Sequence, residues 1–448
     1  MKPLRRILVG GAAVAATVGL TAAPALAQTG HQANNDPHST LYVSHSATTG
    51  AQDTSCATAA YSHIEKAVRA ASSGDTVYLC GATPYVQRVF IKGKDLNLTG
   101  DPGATVKVPA NPPTPKNFFT KRLLQTPNSI VTVLGKADVA VKGLTIKGPF
   151  QNVGPAGEAF GVLQLGKGNV RLEHDQVLNI RAANQAAFGG DQYGMGVAIG
   201  ARSLTPQSSN VSPKGNFVGH GEVFHTVIKG YQKNGLRADG PGTWIEAADN
   251  TVNGGGPTTK IARNGIEFLY GATGKVADNT VTGNEYSAQR PTGGASSSGI
   301  LVFGGYGLGP LSKDVQIHKN DLHNNDVAVY VAEGNAMGKA PNTPTDIHID
   351  NNCISKTNGQ TNMSGFTAEN PHLQYTAYQV GIADSGNGDH IDNNCINGTV
   401  VNGKDTAYGP QTKPMGPFLA PIDIQTYPPK NVHVHNNYFD GSPTNPPY

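Results

Sequence analysis

The chain has 448 residues, of which 38% are hydrophobic and 15% charged, with 56 Gly and 30 Pro that imply many turns. The formal charge of +3 misleads, because Lys2, Arg5 and Arg6 lie in the first 27 residues. The 34 basic residues less these three equal the 31 acidic ones, so the rest of the chain is neutral and its charge argues for neither a nucleic-acid nor an acidic-polysaccharide partner.

Residues 1–27 read as a secretory signal. A basic start precedes an apolar run from Ile7 to Leu20, and Ala25-Leu-Ala27 forms a small-residue cleavage site. The mature protein is therefore expected to start at Gln28 and to be secreted. No other long apolar stretch exists, so no membrane span is expected. Residues 28–40 form a polar leader. Tyr61 to Ala71 has the spacing of an amphipathic helix, and a turn at Ser72–Asp75 leads into a strand at Thr76–Cys80. Further strands are predicted between Val89 and Gly100, then a Pro-rich loop over 109–128. Residues 441–448 are a short tail. No second domain is apparent, and a monomer is expected.

Beyond residue 170 two local patterns alternate. In the first, an apolar residue is followed by two residues, Asn, one residue and another apolar residue, around Asn279, Asn320, Asn352, Asn394 and Asn437. Looser copies surround Asp175, Thr226 and Asn250. Asn tolerates the left-handed conformation of a sharp bend, and stacked copies can join their amides in a ladder. In the second, Gly235-Leu, Gly265-Ile, Gly299-Ile, Gly381-Ile and Pro421-Ile open alternating strands. Each coil then reads strand, Asn bend, short strand, variable loop, Gly-Ile strand. The repeats, counting the looser copies, are 24 to 51 residues apart, which excludes a strict period and leaves a strand core with loops of free length.

These repeats, together with the helix before the first strand, resemble the right-handed parallel β-helix proteins of the pectate lyase-like superfamily. The resemblance covers residues 41–440. It implies an all-β solenoid whose open end is plugged by the short α-helix, and a substrate cleft over the Gly-Ile sheet. The long insertions flank that same sheet, where a rigid scaffold collects function. Function itself is not implied, because many chemistries share such folds. The signatures of known subfamilies are broken: Trp244-Ile-Glu246 resembles a pectate lyase motif, but Ala247 stands at its His position.

Strand alternation points Leu236 and Ile266 inward, so Arg237, Asp239 and Glu267 point outward on adjacent coils. Arg237 suits neutralisation of a uronate carboxylate, and two carboxyls suit either proton abstraction or glycoside hydrolysis. These three are the candidate catalytic residues. Phe303, Tyr330 and Asp423 lie farther along the same face and are the candidate substrate-binding residues. The same groups also suit an ion pair on a solvated sheet. Before the Asn bend, His348, His390 and His433 share one outward position, and Asp350 and Asp392 share the next. Such a patch has ligands for Zn²⁺ or Cu²⁺, or is an ordinary polar face. Asp384 to Asp389 offers oxygens for Ca²⁺, although a Gly-rich turn is preferred. Four cysteines in an exported chain suggest two disulfides, Cys56–Cys80 and Cys353–Cys395; the last two occupy one repeat position, ~4.8 Å apart if their coils are successive, and export favours their disulfide over two stacked free thiols. Two functions remain: action on an extracellular polysaccharide or cell-wall glycan as lyase or hydrolase, or non-catalytic carbohydrate binding.

Overall fold

Val, Ile and Leu alternate with polar residues in short runs, and each run meets its counterpart one coil later in parallel register. In the computed structural model, Ile317, Ile349, Ile391 and Val434 are successive partners in one such column, and all four are buried. The structure describes residues 38–110, 128–151, 159–184, 194–201, 217–287, 296–335, 337, 339–358, 378–401, 404–409, 418–425 and 431–443. The expected signal and most of the leader lie outside these residues.

Three sheets of 12, 10 and 12 strands run the length of the stack, and consecutive coils are neighbours in each. The chain is a right-handed parallel β-helix. We call the sheet before the Asn bend the first, the short sheet after it the second and the Gly-Ile sheet the third. Their inward residues form one continuous apolar core from Leu41 to Val434. Strands begin at Thr40–Val43, and Tyr438–Phe439 with Ser442–Pro443 closes the far end as an antiparallel pair. Among the described residues no helix is long and apolar enough to cross a membrane.

The expected Asn ladder is continuous over six coils. Each Nδ2 donates to the Oδ1 of the next asparagine, from Asn250 to Asn279 (2.9 Å), Asn320 (3.0 Å), Asn352 (3.0 Å), Asn394 (2.9 Å) and Asn437 (2.9 Å). The same oxygens accept the backbone N–H of the preceding rung's asparagine. All six side chains are buried, so this ladder satisfies backbone groups that the bend takes out of the sheets. One expectation is corrected. The left-handed residue is not the ladder asparagine but the one before it: Asp249, Asp278, Lys319, Asn351, Asn393 and Asn436 have φ between 54° and 58°. The preceding residue turns the chain outward, and the asparagine spends its amide on the interior. A second ladder at the next bend joins Asn284 to Asn325 at 2.8 Å, and Tyr231 Oη donates to Asn284 Oδ1.

The helix α1 (Ile64–Ala70) starts three residues later than expected. Ile64, Ala67 and Val68 cover the end of the stack. Ile64 N–H donates to Gln87 Oε1 (2.9 Å), while Lys94 Nζ caps the C-terminal end by bonding the carbonyls of Val68, Arg69 and Ala71. A disulfide joins Cys56 to Cys80, with Cα atoms 5.6 Å apart, and staples this cap to the first strands.

The second expected disulfide is not formed, and Cys353 and Cys395 are free. They are register partners on parallel strands. Equivalent Cβ atoms there lie one strand spacing apart, ~4.8 Å, whereas a disulfide needs about 3.8 Å. Alkylation without reduction is expected to label Cys353 and Cys395 and to spare Cys56 and Cys80. Peptide mapping that finds Cys353 and Cys395 linked would overturn this.

Candidate active site on the outer face of the Gly-Ile sheet

The third sheet carries the candidate catalytic residues on two adjacent strands, Asn234–Asp239 and Asn264–Leu269. Leu236, Ile266, Ala238 and Phe268 point into the core, so their neighbours face outward. Arg237 is the direct register partner of Glu267, and Asp239 is that of Leu269. The expected cluster therefore exists. It is covered rather than solvated: Asp239 is 2% exposed and Glu267 5%.

Arg237 Nη2 donates to Asp239 Oδ2 at 2.5 Å, and Nη1 lies 3.2 Å from Met195 Sδ. Glu267 is clasped by two amides, Asn234 Nδ2 to Oε2 (2.6 Å) and Asn264 Nδ2 to Oε1 (2.8 Å). Burial pushes the Glu267 pKa up, and Asp239 adds to the rise; Lys233, Arg237 and the Asn264 bond oppose it. Lys233 donates to the carbonyl of Ala262 (2.9 Å), and burial pulls its pKa down. The arrangement holds a carboxyl biased towards its protonated form beside a guanidinium–carboxylate pair. It places two carboxyls and a guanidinium within two rungs of one sheet.

Phe303, Tyr330 and Asp423 share this face but not the cluster. The register column runs Arg237, Glu267, Leu301, Tyr330, Ala383, Asp423, which puts Tyr330 two rungs and Asp423 four rungs from Glu267, ~10 and ~19 Å at the strand spacing. Phe303 is one of three neighbouring rings, with Tyr270 at 5.5 Å edge-on and Tyr306 at 5.8 Å stacked. Tyr330 lies 6.3 Å from Tyr378, whose hydroxyl donates to Asp423 Oδ2 (2.6 Å). Gln425 Nε2 donates to that same hydroxyl (2.7 Å). Burial raises the Asp423 pKa.

The sequence reading missed Asn234, Asn264, Lys233, Tyr378 and Gln425. A signal for the first two was present, since Asn-Gly opens the Gly-Ile strand in both of these adjacent coils.

The metal reading of the histidines is corrected. His348, His390 and His433 do stack, with ring centroids 4.8 Å apart at each step and interplanar angles of 2° and 15°. Asp350 and Asp392 are register partners beside them. In-register columns keep equivalent nitrogens side by side instead of aiming them at one point, and no group of three or more His, Cys, Asp or Glu among the described residues has metal-binding geometry. Burial lowers the pKa of His390, and its two stacked neighbours lower it further. The segment offered for Ca²⁺ is a turn whose carboxyls point into the stack. Asp384 Oδ1 accepts the Gly386 N–H (2.7 Å), and Asp389 Oδ1 accepts Thr345 Oγ1 (2.7 Å) and the Ile347 N–H (2.9 Å).

The registered sheets define a parallel β-helix protein. No family model matches the chain, and no curated protein does. Among solved structures it is similar to XylC in complex with xylose, at 11% identity over 80% of this chain and 69% of that one, with a TM-score of 0.47. It is also similar to the GH136 lacto-N-biosidase of Eubacterium ramulus, at 11% identity over 88% and 68%, with a TM-score of 0.43. The A-module of the mannuronan C-5 epimerase AlgE4 of Azotobacter vinelandii is similar at 16% identity over 86% and 94%, with a TM-score of 0.37. Likeness at this level transfers no residue role.

Proposed function

We propose that the protein acts on an extracellular polysaccharide, as a lyase or glycoside hydrolase, at Arg237, Asp239 and Glu267. The observation that carries this reading is Glu267: a buried carboxyl with a raised pKa, held by two amides next to an ion pair, on the sheet face that the long loops flank. In hydrolysis, the Glu267 proton goes to the glycosidic oxygen as the C–O bond breaks, while the Asp239 carboxylate stabilises the sugar cation or activates water. In elimination, Arg237 neutralises the uronate carboxylate, a base takes the C5 proton, and the C4–C5 double bond forms as the C4–O bond breaks, the Glu267 proton going to the leaving oxygen. Phe303 and Tyr330 offer ring faces for further sugar units along the same face. The sequence of residues 1–27 supports an extracellular substrate.

The near-complete burial of Asp239 and Glu267 favours a second reading, in which the cluster is structural and the face binds glycan without turnover. A panel of neutral and uronate polysaccharides separates the readings. New reducing ends without ultraviolet absorbance indicate hydrolysis, and absorbance of a new C4–C5 double bond indicates elimination. Retention on a glycan with no product supports binding alone.

A further inference from the structure

The outer face of the second sheet carries a pair of thiols, on a different sheet from the Glu267 cluster. Cys353 opens the strand Cys353–Ser355, Cys395 opens the strand Cys395–Asn397, and the two are register partners on successive coils. Their neighbours Ile354 and Ile396 enter the core, so the cysteines face outward. Both are free; Cys353 is exposed and Cys395 half-buried. Side chains at one register position of a parallel sheet leave it side by side, ~4.8 Å apart. That is too far for a disulfide, whose Cβ atoms need about 3.8 Å. It is close to twice a metal–thiolate bond of ~2.3 Å, about 4.6 Å, which is the span of two sulfurs with one metal ion midway between them.

The surroundings hold the ligand number at two. Asp321 is the register partner of Cys353 on the preceding coil, and Tyr438 is that of Cys395 on the following one. Asp321 Oδ1 is paired with His323 Nε2 at 2.6 Å, and His323 Nδ1 lies 2.6 Å from Ser355 Oγ, so the carboxylate and both ring nitrogens are engaged. Among the described residues no group of three or more His, Cys, Asp or Glu has metal-binding geometry, which leaves no four-ligand cage for Zn²⁺ among them. Two soft sulfurs without a third ligand suit Cu⁺. Asn397 Nδ2 donates to Cys395 Sγ (3.6 Å), a bond that favours the thiolate and orients a ligating sulfur. Burial raises the Cys353 pKa and the adjacent Cys395 raises it further, so a metal displaces a proton there.

We propose that Cys353 and Cys395 bind one Cu⁺ ion per chain between their sulfurs. Two metal–sulfur bonds form, the two thiol protons go to solvent, and no electron is transferred. The site does not depend on turnover at Glu267.

The test titrates the full chain, its Cys56–Cys80 disulfide intact, with Cu⁺ held by the chromophore bicinchoninate in the absence of oxygen. Loss of colour reads transfer of the ion to the protein. Two free thiols are expected before the titration and one equivalent of Cu⁺ is expected to transfer, after which iodoacetamide no longer labels Cys353 or Cys395. Zn²⁺ at the same concentration is expected to give no such protection. Cys353→Ser and Cys395→Ser are each expected to weaken binding by at least about 100-fold, above the 10–100-fold typical of partners outside the ligand set. Both side chains lie outside the apolar core, so both variants are expected to keep the thermal midpoint of the wild type. Asp321→Asn is expected to leave one tightly held Cu⁺. Cu⁺ that stays with bicinchoninate in the presence of folded wild-type protein overturns the proposal, as does undiminished affinity in either serine variant or a thiol count of zero. Protection by Zn²⁺, or a loss in Asp321→Asn equal to that in Cys353→Ser, overturns the two-ligand assignment.

Discussion

Asn352→Ala is expected to destabilise the protein by about 3–6 kcal/mol, among the largest effects of any single substitution, without touching the apolar core. Its Oδ1 accepts from the Asn320 backbone N–H (2.9 Å) and Asn320 Nδ2 (3.0 Å). Its Nδ2 donates to the Ile317 carbonyl (3.0 Å) and to Asn394 Oδ1 (2.9 Å). Alanine removes all four bonds inside a dry interior, and buried groups left without partners cost about 1–3 kcal/mol each. The neighbour provides the control. Asn351 has φ 57°, and its side chain bonds the half-exposed Asp350. Asn351→Gly is expected to change stability by only a few tenths of a kcal/mol, since glycine accepts that backbone conformation freely. Denaturant midpoints measure both. Equal losses in the two variants would mean that the ladder amides contribute little.

Raising the pH from 5 to 8 is expected to lower stability substantially. Besides Glu267 and Asp423, four interior carboxyls have pKa values raised chiefly by burial: Asp175 and Glu333 to about 8, Asp384 to about 6, and Asp389 well above its ordinary value. In the unfolded chain all four ionise near pH 4. Between that pH and the folded pKa, the folded state holds protons that the unfolded state has lost. The stability they contribute is therefore full below about pH 4 and falls as pH rises, by about 1.4 kcal/mol per pH unit for each group still protonated in the fold. The pair is unequal: the Asp384 charge raises the Asp389 pKa, whereas the hydrogen bond with Asp389 lowers that of Asp384, so Asp389 is the one that keeps its proton. Asp101 and Glu173 have lowered pKa values and act in the opposite sense at acid pH, but both lie near the surface, where solvent screens them. Thermal midpoints should fall from pH 5 to pH 8, and Glu333→Gln should flatten that slope. A midpoint that rises over this range would contradict the assignment of these acids as buried and protonated.

Much of the fold was legible because its determinants are local. The Asn bend repeats within a window of six residues, and the alternation in Gly265-Ile-Glu-Phe settles which side chains enter the core. The same alternation correctly put Arg237 and Glu267 side by side. It also places Asp384 inward, two residues after Ile382, a consequence that is visible in the sequence although the Ca²⁺ reading passed over it. Other features depend on quantities that spacing does not carry. Asn351 and Asn352 are the same residue type, and only the backbone distinguishes the left-handed one from the ladder member. Cys353 and Cys395 share a repeat position, but neighbouring in a parallel sheet separates side chains by a full strand spacing. The stacked histidines fail as ligands for the same reason. The clasp on Glu267 requires both the register of two coils and the direction of two amides, and the cover over the cluster is a tertiary property.

The activity of Glu267→Gln on whichever glycan the wild type cleaves tests the central claim most directly. Glutamine keeps the size of the side chain, its Oε1 accepting from Asn264 and its Nε2 donating to Asn234 Oδ1 once that amide turns over, but it cannot give up a proton as the acid does. The variant is expected to fold as the wild type does and to lose at least about 100-fold in kcat, the low end for a positioned acid or base. Wild-type turnover by a folded Glu267→Gln protein would contradict the assignment and remove catalysis from this face.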